Sequence, residues 1–247
     1  MKIVFMGTPD FAVNVLQGLI DNNYDVVGVV SQPDKEVGRK RILTPTPIKE
    51  VALKYNIPVF QPVKIRKEFD DILALEPDMI VTCAYGQIIP KEILDYPRLG
   101  CINVHGSLLP KLRGGAPIHH AIMDGLEETG ITIMYMDVSM DSGDIISQRS
   151  IPITDSDNVG ILWDKLSLLG RDLLLDTLPS IIDGTNDRIK QDESLVTFGY
   201  NVKREEEHVD FNNASRKVFN HIRGLNPWPS ANAILDDSEM KIYECDI

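Results

Sequence analysis

The sequence predicts an α/β protein, a mainly parallel, Rossmann-like sheet with helices on both faces. Three observations predict it. Short runs rich in Val and Ile recur through the first hundred residues: KIVFM at 2–6, YDVVGVVS at 24–31, DMIVTCAY at 78–85 and LGCINVHG at 99–106. Each is strand-length, and stretches of helical character lie between them, the pattern of right-handed βαβ units. The chain of 247 residues is 43% hydrophobic and 25% charged, enough to bury a large core on both sides of such a sheet without covalent staples.

Taken in order, KIVFM is the first strand, and GTPDF turns the chain into a helix over 11–20, with Asp10 near its positive N-terminal end. The second strand is 24–31. A polar loop, QPDKEVGRKRILTPTP, precedes a helix over about 46–55. IPVFQP is a short strand, 65–75 a helical stretch, and 78–85 a buried strand. LGCINVHG is the next strand, and GAPIHHAIMDGL a helix with Pro117 in its first turn, where the missing N–H costs nothing. Residues 130–137 alternate as a strand, with 144–153 as its neighbour. A long helix follows over about 158–183, with Val159, Leu162, Leu166, Leu169, Leu173 and Ile181 along its apolar stripe. After Gly184 periodicity fades, and 191–207 reads as a linker between a 1–190 domain and a smaller 208–247 region. That region holds a helix around 214–223, the turn-rich NPWPS, and two strands, too little for an independent domain.

Several function classes lose support. No apolar run reaches the roughly 20 residues that span a bilayer, and the N-terminus lacks a signal-peptide pattern, so no membrane partner is expected. Cys83, Cys101 and Cys245 are odd in number and lack metal-ligand spacing, which fits a reducing cytoplasm. The first strand ends in Gly-Thr-Pro-Asp, not GxGxxG, and neither GxSxG nor a P-loop occurs. A net charge of −12 argues against broad nonspecific binding of nucleic acid. It leaves room for a local basic patch, since salt screens charges beyond roughly 8–10 Å.

The stretch CINVHGSLLPKLRGGAPIHHA, 101–121, carries the chemistry. Asn103 and His105 interrupt a buried strand two residues apart, so they share a face. In open parallel sheets chemistry gathers beyond the carboxyl ends of the strands, where His105 lies. An amide N–H and a protonated imidazole are two donors, what an oxyanion needs. A carboxylate would orient the imidazole and favour its charged form, and Asp137, Asp141 and Asp144 are the candidates. Asp141 sits in a turn before Ser142 and Gly143, from which it could reach inward. The blander readings are a hydrogen-bonding strand-end histidine and an ordinary turn aspartate. His119 and His120, adjacent on a helix, point about 100° apart, which disfavours a shared metal. The residues alone give acyl-type transfer, or hydrolysis, on a small ligand.

NVHGSLLPKLRGGAPI together with TGITIMYMDVSMDSGDII resembles the formyltransferase family that uses 10-formyltetrahydrofolate. The second segment matches through Gly130, Thr132, Ile133, Tyr135, Asp141 and Gly143. GTPDFA, SQPDKEVGRKRILTPTPIK and NPWP narrow the resemblance to members that formylate methionine on initiator tRNA, over essentially the whole chain. The resemblance implies that Asn103, His105 and Asp141 are catalytic and that Ser107, Leu108, Leu109 and Pro110 bind the folate. Arg39, with Lys35, Lys40 and Arg41, would serve the tRNA. It implies direct transfer with no metal: the methionine α-amine attacks the formyl carbon, Asn103 and His105 stabilise the tetrahedral intermediate, and Asp141 holds His105. It also implies a C-terminal OB-like β-barrel of which 208–247 would be only the start, the barrel being truncated; a cytoplasmic monomer is expected. Runner-up readings are formyl transfer to a small amine (a sugar nucleotide or glycinamide ribonucleotide), formyltetrahydrofolate hydrolysis, and a noncatalytic folate- or RNA-binding module.

Overall fold

The computed structural model describes residues 1–38 and 40–247. Its centre is a seven-stranded sheet. The first four strands to join it are β1 (Lys2–Gly7), β2 (Asp25–Val30), β5 (Val59–Phe60) and β6 (Met79–Cys83). The remaining three are β7 (Cys101–His105), β8 (Glu128–Tyr135) and β9 (Ile145–Pro152). The order is β5-β2-β1-β6-β7-β8-β9. The pairs β1–β2, β1–β6, β2–β5 and β6–β7 are parallel, and β7–β8 is antiparallel. The chain leaves β1 toward β2 on one side and returns to β6 on the other, so the strand order reverses at β1. Ligands of open α/β sheets bind beyond the carboxyl ends at such a reversal.

Two compact units divide the chain. The first comprises Met1–His105, Thr132–Gln148 and Ser167–Gln191; the second comprises Gly106–Ile131, Arg149–Leu166 and Asp192–Ile247.

In the first unit Ile3, Val4, Phe5 and Met6 are all fully buried, so both faces of β1 are covered. Fully burying such side chains contributes roughly 1.5–3 kcal/mol each. Val4 and Met6 share one core with Ile80, with Ile72 of α3 (Asp70–Leu73) and with Ile93 of α4 (Lys91–Leu94). The helix α1 (Val13–Asp21) meets α6 (Val159–Asp183) through Asn14, whose amide donates to Ser167 at 3.0 Å. Ser167 in turn donates to the Phe11 carbonyl at 2.7 Å. Gly18 makes that approach possible, since a Cβ there would lie 2.5 Å from Arg171 Cγ. The helix α2 (Pro47–Lys54) starts as its sequence dictates: Thr46 accepts from the Lys49 N–H and Pro47 is the first helical residue.

Two local expectations differ. The helical stretch expected at 65–75 shrinks to the single turn of α3. The Glu68 carboxylate accepts from the N–H groups of Val63 and Lys64, and Gln87 Oε1 accepts from that of Ile65. These side-chain acceptors hold 63–68 as a turn ahead of the short helix. The polar loop at 32–47 contains a hairpin, β3 (Lys35–Val37) against β4 (Ile42–Thr44).

In the second unit α5 (Pro117–Met123) and α7 (Ser215–Arg223) accompany the hairpin of β10 (Ala231–Leu235) and β11 (Ser238–Ile242). Val209, Ile222, Leu225 and Ala231 form a small core. Part of the stretch read as a linker is paired: Arg113 donates to the Thr197 carbonyl at 2.9 Å, and Gly199 donates back to Arg113 at 2.8 Å.

Candidate active site

β7 carries the first two residues of the site. Apolar Cys101, Ile102 and Val104 are buried because the strand lies between β6 and β8. Asn103 and His105 share a face by the strand period, and His105 is the last residue of the strand, 6% exposed. The carboxyl end of β7 therefore presents an imidazole, with an amide one step behind it.

Of the three candidate carboxylates, the structure brings Asp141 to the imidazole. His105 Nδ1 lies 3.8 Å from Asp141 Oδ2, with the side chains 7% and 17% exposed. That separation is an ion-pair distance, longer than a direct hydrogen bond, and low exposure limits screening by salt. It leaves Nε2 on the far side of the ring from the carboxylate. Asp144 instead accepts from Arg188 Nε at 3.2 Å, and exposed Asp137 accepts from the next N–H in the chain, that of Val138, at 2.6 Å.

The turn that carries Asp141 is held at several points. Asp141 has φ 50°, a left-handed conformation that Asp tolerates better than most residues. A Cβ on Gly143 would collide with the Tyr135 carbonyl, so only glycine lets the turn pack back on β8. Gln191 Nε2 donates to the carbonyls of Asp141 and Gly143 at 2.8 and 2.9 Å. Ile145 and Ile189 exchange backbone hydrogen bonds at 2.8 and 2.9 Å.

Sequence reasoning missed two residues here. Gln191 gave no signal, because its partners lie 50 and 48 positions away and its own segment has no period. Thr82 did give one: it is the single polar residue of the buried strand MIVTC. Its hydroxyl donates to Asn103 Oδ1 at 2.8 Å.

The expected folate-binding residues belong to the second unit. Ser107 Oγ donates to the Lys111 carbonyl at 2.7 Å and folds the loop on itself. Ser107 and Leu109 are buried, while Leu108 and Pro110 are half-buried. A Cβ on Gly130 would lie 2.6 Å from the Leu108 side chain, so the glycine accommodates that leucine. Of the basic residues, Lys35 begins β3 and Lys40 and Arg41 lie in the hairpin turn, all exposed; Arg39 lies outside the described residues. Arg41 pairs with Glu36 at 2.6 Å. The base of the hairpin is clamped at Asp34, which accepts from Lys49 at 2.6 Å and Gln61 at 2.7 Å.

The adjacent histidines have separate structural surroundings. Trp228 packs edge-on against both His119 and Trp163, at ring separations of 6.2 and 5.2 Å. Burial pushes the His119 imidazole down to about 4, against a smaller upward pull from its hydrogen bond to the Trp228 backbone. His120 Nε2 lies 3.0 Å from the Tyr200 carbonyl oxygen. Among the described residues no three His, Cys, Asp or Glu side chains gather as a metal site would require. No described helix is long and apolar enough to cross a membrane.

Comparison with known proteins gives the family independently of this geometry. A family model described as formyl transferase matches residues 1–178, and one described as formyl transferase, C-terminal domain, matches 201–247. The methionyl-tRNA formyltransferase of Staphylococcus aureus strain MW2 is 56% identical over 248 aligned positions, covering 100% of this chain and 79% of that protein. Among solved structures, a sugar 3N-formyl transferase determined with dTDP and 5-N-formyl-THF superposes with a TM-score of 0.75 at 24% identity. That match covers 98% of this chain and 85% of the other. The methionyl-tRNA formyltransferase of Clostridium thermocellum gives 0.69 at 19%, covering 100% and 93%. At these identities the two structures speak to the fold. With one family model over the first 178 residues, its C-terminal partner over the last 47, and a relative more than half identical throughout, the chain belongs to the formyl transferase family.

Proposed function

We propose that the protein transfers the formyl group of 10-formyltetrahydrofolate to the α-amine of methionine carried by initiator tRNA, in the cytoplasm, for translation initiation. The observation that carries this reading is the Asn103–His105–Asp141 constellation in a chain 56% identical to a methionyl-tRNA formyltransferase. As the amine adds to the formyl carbon, the formyl oxygen gains negative charge. Asn103 Nδ2 and the His105 imidazolium donate to that oxygen, and donors already in place are worth most where water is excluded. Asp141 supplies the counter-charge to the imidazolium. When the intermediate collapses, the bond from the formyl carbon to N10 breaks, the amine gives up a proton, N10 takes one up, and tetrahydrofolate leaves. The folate lies along Ser107, Leu108, Leu109 and Pro110, where the half-buried Leu108 and Pro110 suit a flat ring and the backbone groups suit its polar edge.

The tRNA is held by the β3–β4 hairpin through Lys35, Arg39, Lys40 and Arg41, which attract phosphate. This gives an acidic protein a local site for a polyanion. We place the catalytic domain at 1–190, a linker at 191–207 and the start of a C-terminal domain at 208–247; the two family models, 1–178 and 201–247, support this division.

The test supplies 10-formyltetrahydrofolate with its formyl carbon labelled and varies the acceptor. Label should reach initiator methionyl-tRNA and not uncharged tRNA, with slow transfer to free methionine. Faster transfer to an amino-sugar nucleotide or to glycinamide ribonucleotide would overturn the tRNA assignment. Release of formate at full rate without any amine would make the protein a hydrolase.

A further inference from the structure

Thr82 is the one polar side chain on β6, and it is 3% exposed. The parallel register sets it opposite Asn103 on β7. Its Oγ1 lies 2.8 Å from Asn103 Oδ1, 3.1 Å from the Ile102 carbonyl and 3.2 Å from Met136 Sδ. A threonine hydroxyl has one proton to donate, and the shortest of these contacts is to the amide oxygen.

A carboxamide has two ends of nearly the same shape, one a donor and the other an acceptor. The role proposed for Asn103 works in one orientation only. With Nδ2 toward the reacting oxygen the amide stabilises developing charge; reversed, it sets oxygen against oxygen. We propose that Thr82 is the positioning residue that selects the productive orientation: its hydroxyl holds Oδ1 and thereby turns Nδ2 toward the substrate. The β-branched threonine has few χ1 choices on a strand, so the backbone of β6 itself aims the hydroxyl. The competing arrangement sends the proton to the Ile102 carbonyl and accepts from a flipped amide, and it uses the longer contact. This inference rests on the reading of Asn103 as an oxyanion donor.

The test is a double-mutant cycle read as the single-turnover rate of formyl transfer. Thr82→Val keeps the branched shape and removes the hydroxyl. Its rate should fall on the order of tenfold, a fraction of the 10²–10³ that a whole oxyanion donor is worth, with KM for the folate within about twofold. Thr82→Ser should recover most of the loss. In the Asn103→Ala background Thr82→Val should slow the reaction no further, since nothing remains to orient. A packing defect would instead slow both backgrounds alike and would not be rescued by Ser, and that result overturns the inference. Thr82→Ala, with different packing and the same missing hydroxyl, must show the same non-additivity. If Asn103→Ala is impaired and Thr82→Val runs at the wild-type rate, this inference falls and the reading of the site stands. If Asn103→Ala itself runs at the wild-type rate, both fall.

Discussion

A polar side chain on a buried strand is costly unless something answers it, and each polar residue at this site is answered by a specific partner. Asn103 is met by Thr82, and His105 by Asp141. The Asp141 carboxylate and the His105 ring stand at an ion-pair distance, 3.8 Å between Oδ2 and Nδ1, so charge is the part of their pairing that a neutral isostere removes. Asp141→Asn keeps the shape and removes the charge. It should lower kcat by about 10²-fold or more, comparable to losing one electrostatic stabiliser, with the folate KM near wild type; an unchanged kcat would remove Asp141 from the mechanism. The pair Asn103 and His105 was legible in the sequence because both interrupt an apolar run with the period of a strand. Thr82 carries the same signal on a neighbouring strand and becomes readable only when the parallel register sets the two opposite each other.

At the scale of elements, the segment Arg188–Gln191 braces the turn that carries Asp141. It does so by one ion pair, two backbone hydrogen bonds and the double donation from Gln191. Gln191→Leu leaves two carbonyls without that donor and should cost about 1–2 kcal/mol in denaturant unfolding; no loss of stability would show that the turn holds itself. The β3–β4 hairpin is a second element with its own test. Lys40→Ala with Arg41→Ala should raise KM for methionyl-tRNA, leave that for the folate unchanged, and reduce the slope of log affinity against log salt by about 1–2. A salt slope equal to that of the wild type would make the arm an ordinary solvated hairpin. The strand–helix alternation was legible from periodicity alone. The hairpin was not, because its three-residue strands are exposed throughout and show no buried face. The stretch at 65–75 reads as helix, yet Glu68 and Gln87 hold its entry as a turn through the amides of Val63, Lys64 and Ile65, tertiary contacts that single-residue propensity does not contain.

At the scale of the whole molecule, histidine burial sets how stability follows pH. His119 is held down to about 4 by burial beside Trp228, against an ordinary value of 6.5. Its charged form therefore favours the unfolded chain, which binds the extra proton between those values. The stabilisation is complete above about 6.5 and is lost as pH falls toward about 4. At 1.36 kcal/mol per pKa unit the loss reaches about 3 kcal/mol. Burial lowers His221 as well, in the same direction. His119→Phe should flatten the stability profile between pH 6.5 and 4; an equally steep profile in that variant would assign the pH dependence to other groups. Net charge bears on this scale too. At −12 the protein repels a polyanion in general, so the proposed tRNA contact depends on basic residues clustered within a Debye length.

The most direct measurement is the single-turnover rate of formyl transfer from 10-formyltetrahydrofolate to initiator methionyl-tRNA, compared among the wild type, Asn103→Ala and His105→Ala. Each variant should transfer about 10²–10³-fold more slowly while binding the folate with wild-type affinity and unfolding cooperatively. Wild-type transfer by either variant would contradict the assignment of the reaction to the carboxyl end of β7.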